Sequence, residues 1–210
     1  MGKHFNYTSA RECTTYFSPE MRLDCEKTVL DATAGLRKLW IGRDASKVVF
    51  VDVRRDVLPD VLASNEFLPF RDGVFERVEY DPPHVTGVKK YDAYWFTGFG
   101  LRFGGWPSES RLLKNMYVVN TEFKRVLRPG GTLFVKWTDI PDQPGVNFLV
   151  KMFTNFLEVS REERISRSGS KNRVWFVTFK RIDPQVELLK IHRQEARRHV
   201  IVDRIFVKHH

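Results

Sequence analysis

Three aspartates stand at the ends of apolar runs: Asp31 after "TVL", Asp52 after "VVFV" and Asp81 after "VEY". Asp31 leads into Ala32-Thr33-Ala34-Gly35, small side chains that let a ligand approach the main chain closely. Asp52 leads into Val53 and Arg54, and an acid there can accept hydrogen bonds from the two hydroxyls of a ribose. Asp81 leads into Pro82-Pro83-His84. Proline fixes its own φ and has no N–H for a sheet ladder, so the strand stops there and a stiff shelf follows. Buried carboxylates without partners are costly, so three at three strand ends imply a function that holds them. For Asp31 or Asp52 taken alone, the competing assignment is a cap on a following helix.

These acids need a frame. Strands are expected over Lys27–Gly35, Lys47–Asp56 (ending at Asp52), Gly73–Asp81, Gly131–Trp137 and Arg173–Arg181, with Asn155–Glu162 pairing with the last. The turn "RPGG" introduces the fourth. Asp31 and Asp52 are 21 positions apart, the length of a strand–helix–strand step. The segment Ser108–Leu127 reads as a helix with Leu112, Met116, Val119, Phe123 and Val126 on one face, and "GVNFLVKMFTNFL" as another. Ser18-Pro19-Glu20 is a helix start. Continuous apolar strands alternating with helices argue for a parallel sheet covered on both faces, with a hairpin at its edge.

Composition bounds the partners. The 210 residues suit one domain with an appendage, and 42% hydrophobic residues, including 17 Phe and 5 Trp, exclude a disordered chain. Lys and Arg exceed Asp and Glu by 9, so an anionic partner is expected, nucleic acid first and an anionic membrane surface second. An ordinary basic surface is the plainer account. No stretch approaches the roughly 18 apolar residues of a membrane span. The start "MGKHFNYTSARE" lacks the apolar core of a signal peptide. Cys13 and Cys25 fit no zinc or redox spacing, which points to a reducing cytoplasmic setting, with a Cys13–Cys25 bridge the alternative. The terminal "KHH" is given no metal role, and a monomer or homodimer is expected.

Two further segments bear on substrate. "GFGLRFGG" (Gly98–Gly105) misses the G-x-G-x-x-G spacing and has no suitable strand before it. With Trp95 and Phe99 it reads as an aromatic loop that grips a base by stacking, or as a loop packed on the core. "SREERISRSGSKNRVW" gathers Arg161, Arg164, Arg167, Lys171 and Arg173 around a hairpin loop, for phosphate contact or as an ordinary solvated surface.

"TVLDATAG", "VVFVDVR", "LPFRDGVFERVEYDPPHV" and "FKRVLRPGGTLFVKW", over roughly Lys27 to Trp137, resemble a class I S-adenosylmethionine-dependent methyltransferase. "DPPH" resembles the [D/N/S]-P-P-[aromatic] motif of the amino-methyltransferases, and the chain looks similar to small uncharacterised phage and bacterial methyltransferases. The resemblance implies a Rossmann-like, doubly wound, mostly parallel seven-stranded α/β sheet with an antiparallel C-terminal hairpin. The domain would span residues 1–182, with 1–26 as an N-terminal segment and 183–210 as a helical tail. It implies methyl transfer to N6 of adenine or N4 of cytosine in DNA or RNA. Alternatives are a protein side-chain amide or amine as acceptor, or a non-catalytic scaffold that binds RNA or a partner. In the family's mechanism the Asp81 carboxylate and the Pro82 carbonyl accept the amine's two N–H bonds, Pro83 stiffens the shelf, and the base stacks on the fourth position, here His84. For the cofactor, Thr33, Ala34 and Gly35 would line the methionine end, with Asp31 at its ammonium. Asp52 would hold the ribose, Val53 would lie against adenine, and Ser64, Asn65 or Glu66 would read the adenine edge. Trp95, Phe99, Arg167 and Lys171 would contact substrate.

Overall fold

Side chains alternate along a strand, so each strand residue serves one sheet face or the other. The computed structural model describes residues 27–87, 104–165 and 172–183. Cys13, Cys25, the helix start at Ser18, Trp95, Phe99, Arg167, Lys171 and the tail from Pro184 lie outside the described residues, as does most of the Gly98–Gly105 segment.

Seven strands form one sheet: β1 (Val29–Asp31), β2 (Val48–Asp52), β3 (Val61–Leu62), β4 (Phe75–Tyr80), β5 (Leu127–Thr138), β6 (Phe156–Ile165) and β7 (Arg173–Arg181). Their order is β3-β2-β1-β4-β5-β7-β6. The first four pairings are parallel, and β7 runs antiparallel to both β5 and β6. This is the expected Rossmann-like α/β sheet with its antiparallel C-terminal hairpin. Two helices are described, α1 (Glu109–Val126) and α2 (Val146–Met152). No described helix is long and apolar enough to cross a membrane.

One face of the sheet carries the main core. Leu30, Val49, Val51, Val78, Tyr80, Leu133, Val135, Trp137, Val177 and Phe179 pack there against α1 and α2. Helix α1 delivers Leu112, Met116, Val119, Phe123 and Val126, all fully buried, as its spacing implies. Ser108 caps it: the side-chain oxygen accepts the Arg111 N–H. The other face has a small cluster of Ala34, Trp40, Val48 and Phe50 near β2. By alternation, Asp31, Arg77, Glu79, Phe134 and Lys136 belong to that second face.

The structure departs from the sequence reading in three places. After β1 and β2 come single 3-10 turns, Lys38–Trp40 and Arg55–Val57, where full helices were expected. The first ends at Ile41 in extended backbone and follows a left-handed Arg37 (φ 55), and the second ends at a left-handed Leu58 (φ 51). The two-residue strand β3 was not foreseen. Its place follows from Asp60, whose carboxylate accepts the Phe50 N–H and pins the segment to β2. Finally, β5 runs back through "RPGG" to Leu127, and a register shift against β4 between Phe75 and Arg77 absorbs the extra residues.

Candidate active site

The first strand end is built around a fully buried acid. Asp31 Oδ1 accepts the Thr33 N–H at 3.1 Å, which turns the chain out of β1, and Oδ2 accepts the Trp40 indole N–H at 2.7 Å. Burial pushes the Asp31 pKa up to about 7, with Glu79 and Asp81 adding to the rise, while the two hydrogen bonds oppose it. Thr33 also reaches the third strand end, where its Oγ1 accepts the Asp81 N–H at 2.7 Å. Gly35 adopts φ +46, a left-handed conformation that favours glycine, and its N–H donates to Asp52 Oδ2 at 2.7 Å.

At the second strand end, Asp52 Oδ1 accepts the Arg54 N–H at 2.9 Å. A carboxylate offers about four lone-pair sites, so Asp52 keeps acceptor capacity beyond these two bonds. Val53 presents an exposed apolar surface beside it.

The third strand end is the proline shelf. Trp106 binds it twice: its indole N–H donates to the Pro83 carbonyl at 2.6 Å and its backbone N–H to the Val85 carbonyl at 2.8 Å. His84 Nδ1 lies 3.2 Å from the Pro82 carbonyl, and its ring tilts against Trp137 at 5.6 Å between centroids. Burial lowers the His84 pKa, so the neutral ring donates from Nδ1 to that carbonyl. The Pro82 oxygen retains a second lone pair. Asp81 Oδ2 pairs with Lys136 Nζ at 2.6 Å.

A fourth wall comes from the loop after β3. Glu66 receives both Arg111 guanidinium nitrogens, at 2.7 and 3.1 Å, which holds its carboxyl below the usual range. The buried Asn115, one turn further along α1, donates to Asn65 Oδ1 at 3.0 Å and to Glu66 Oε1 at 2.9 Å. Its own Oδ1 accepts the Tyr80 hydroxyl at 2.7 Å. Ser64 Oγ accepts the Glu66 N–H at 3.2 Å and shapes the turn.

A cavity of about 500 Å³ opens between these elements. Asp31, Thr33, Ala34, Gly35, Asp52, Val53, Ser64, Asn65 and Glu66 all line it, together with Asp81 and Pro83. Pro82 and His84 do not line it, and His84 turns its ring toward Trp137. The sequence reading missed Arg111 and Asn115, which line the cavity, and Lys136, which does not line it but pairs with Asp81. For Lys136 a signal existed: "FVKW" puts a lone cation in an apolar strand beside the strand that ends at Asp81. For Arg111 and Asn115, four positions apart on a helix, the signal was a polar pair at the N-terminal end of an amphipathic segment.

No protein-family model matches the sequence, and the search of curated proteins found no match. Solved structures do resemble it. The [4+2]-cyclase SpnF aligns with a TM-score of 0.51 at 13% identity, over 76% of this chain and 76% of its own. The likeness is one of fold. A SAM-dependent methyltransferase from Methanosarcina mazei aligns with a TM-score of 0.49 at 15% identity, over 76% of this chain and 94% of its own. The N-methyltransferase NodS from Bradyrhizobium japonicum, solved with S-adenosyl-L-homocysteine, gives 0.47 at 11% identity, over 74% and 77%.

Proposed function

We propose that this chain transfers a methyl group from S-adenosylmethionine to an exocyclic amine of a nucleobase, N6 of adenine or N4 of cytosine, in DNA or RNA. The observation that carries the reading is the convergence of three strand-end carboxylates on one cavity whose lining reaches Asp81 and Pro83 of the proline shelf. The fold alone does not choose the reaction, as the cyclase SpnF illustrates.

The residues present fit the cofactor. Asp31, Asp52 and Asp81 make that end of the cavity rich in acceptors, which suits a ligand carrying an ammonium and a sulfonium. A dinucleotide pyrophosphate would instead want the aligned N–H groups of a helix N-terminus, and a single 3-10 turn stands there. Ala32, Ala34 and Gly35 leave room at the backbone; Asp52 would hold ribose hydroxyls and Val53 the adenine face. S-adenosylmethionine supplies an electrophilic methyl group when bound there.

The chain's own residues prepare the acceptor. A nucleobase amine is a weak nucleophile because its lone pair is delocalised into the ring. Asp81 accepts one N–H and the Pro82 carbonyl accepts the other, which turns the nitrogen toward tetrahedral geometry. Asp81 takes the proton that the amine loses. Thr33 fixes the Asp81 backbone and Trp106 fixes Pro83, so the acceptors are held before substrate arrives. A base reaches this shelf only after leaving its duplex, or from a single strand.

The test is incubation with S-adenosylmethionine and mixed DNA and RNA, digestion to nucleosides and mass analysis. N6-methyladenosine or N4-methylcytidine, in ribo or deoxy form, is expected. Cofactor binding with no methylated nucleoside from any nucleic acid would sink the reading, and label appearing in protein would move it to a side-chain amide or amine.

A further inference from the structure

The Lys136–Asp81 pair is awkward for the mechanism as it stands. An ammonium 2.6 Å from Asp81 Oδ2 weakens that carboxylate as an acceptor for a substrate N–H. Stability alone does not account for the pair, since both side chains are about one-quarter exposed, at 29% and 25%, and solvent screens them in part. Nor is it a chance meeting of long side chains. The parallel register pairs Tyr80 with Val135, so the next residues along, Asp81 and Lys136, are neighbours at the same sheet edge. Phe176 of β7 stands opposite Lys136 on its other side.

The atoms left over explain the arrangement. Among the described residues, Asp81 Oδ1 accepts no hydrogen bond and Lys136 Nζ spends one of its three donors. The pair therefore presents an acceptor beside a donor. A carboxamide presents the same two functions when Asn or Gln reads the amine and the adjacent ring nitrogen of adenine in one contact. The complementary ligand edge is an N–H donor next to an acceptor, as found where an exocyclic amine borders an unprotonated ring nitrogen.

We infer that Lys136 is a specificity-determining residue: it donates to the ring nitrogen next to the target amine while Asp81 accepts the amine's N–H. The inference rests on the methyl-transfer reading and deepens it. It selects amidine-type amines of nucleobases over alkylamines, which have no neighbouring acceptor. It also explains how a carboxylate paired to a lysine still serves: the substrate edge uses Asp81 Oδ1 and a spare Lys136 donor, so the two charges stay matched to each other.

The test compares oligonucleotides carrying adenine with ones carrying 1-deazaadenine or 7-deazaadenine, and cytosine with 3-deazacytosine. Each pair is measured with the wild type, Lys136→Met and Lys136→Arg. The wild type should favour the natural base over one deaza analogue by about tenfold to a hundredfold in kcat/KM, the range for one hydrogen bond to a charged group. In Lys136→Met that preference should shrink by about this factor, leaving only the analogue's intrinsic difference, with cofactor affinity and thermal midpoint close to wild type, and Lys136→Arg should restore part of it. The comparison of ratios cancels the altered reactivity of the analogue itself. The same preference in wild type and Lys136→Met would overturn the inference and leave the function intact. Absence of transfer to any base by the wild type would overturn the function, and this inference with it.

Discussion

Asp81 engages three residues at once. Its N–H donates to Thr33, its Oδ2 pairs with Lys136, and its main chain continues into the proline shelf. Replacing it with alanine removes only the side-chain part of this arrangement. Methyl transfer by Asp81→Ala should fall about a hundredfold to a thousandfold, the range for losing one preorganised electrostatic partner. Calorimetric affinity for S-adenosylmethionine should stay within a few-fold of wild type; equal losses in both would make Asp81 a structural residue. Asp31 makes a different prediction. Its folded pKa of about 7 lies above the unfolded value near 4, so between those values the folded state binds more protons. Its contribution is therefore most favourable at the acidic end of that window and is lost as pH rises through 7. Urea midpoints of the ligand-free protein measured between pH 5 and 8 should show this downward component, and Asp31→Asn should flatten it. At residue scale the acids were legible because each ends an apolar run. Their partners were not: Trp40, Thr33 and Lys136 reach them across turns and strands, and no local spacing encodes that.

Elements hold these residues at two tight points. Gly131 in β5 has no room for a side chain: an added Cβ would lie 2.9 Å from the Arg128 carbonyl and 3.1 Å from that of Glu76. Both neighbours are backbone, so Gly131→Ala should cost on the order of 2 kcal/mol, read as a lower denaturant midpoint at unchanged slope. Asn115 joins α1 to β4 and to the loop after β3. Asn115→Ala leaves the buried Tyr80 hydroxyl without its acceptor and should cost about 1–3 kcal/mol, with a weaker hold on cofactor. A cofactor affinity unchanged in that variant would show that the Glu66 wall stands without Asn115. Helix α1 was legible because five apolar positions at helical spacing leave little alternative. The 3-10 turns after β1 and β2 were not, because Arg37 and Leu58 carry nothing in their side chains that announces a left-handed backbone. Strand β3 escaped because two residues show no periodicity at all.

The whole molecule carries a formal charge of +9, and that has a measurable signature. Binding to nucleic acid should weaken linearly on a log–log plot against salt, with a slope set by the number of phosphates neutralised. Cofactor binding should respond far less. A flat salt response for nucleic acid would remove the charge as support for that partner. The strand order has another consequence, in the timing of synthesis. β7 is the last described strand in the chain, yet it lies inside the sheet, between β5 and β6. Lys136 is made long before Phe176, the residue that flanks it on the β7 side. A nascent chain that has released α1 and β5 already contains every residue lining the cavity. It still has an open sheet edge beside Lys136 until β7 pairs with β5. A stalled product ending before Val174 would thus carry every residue that lines the cavity while β5, whose Lys136 pairs with Asp81, lacked its β7 neighbour.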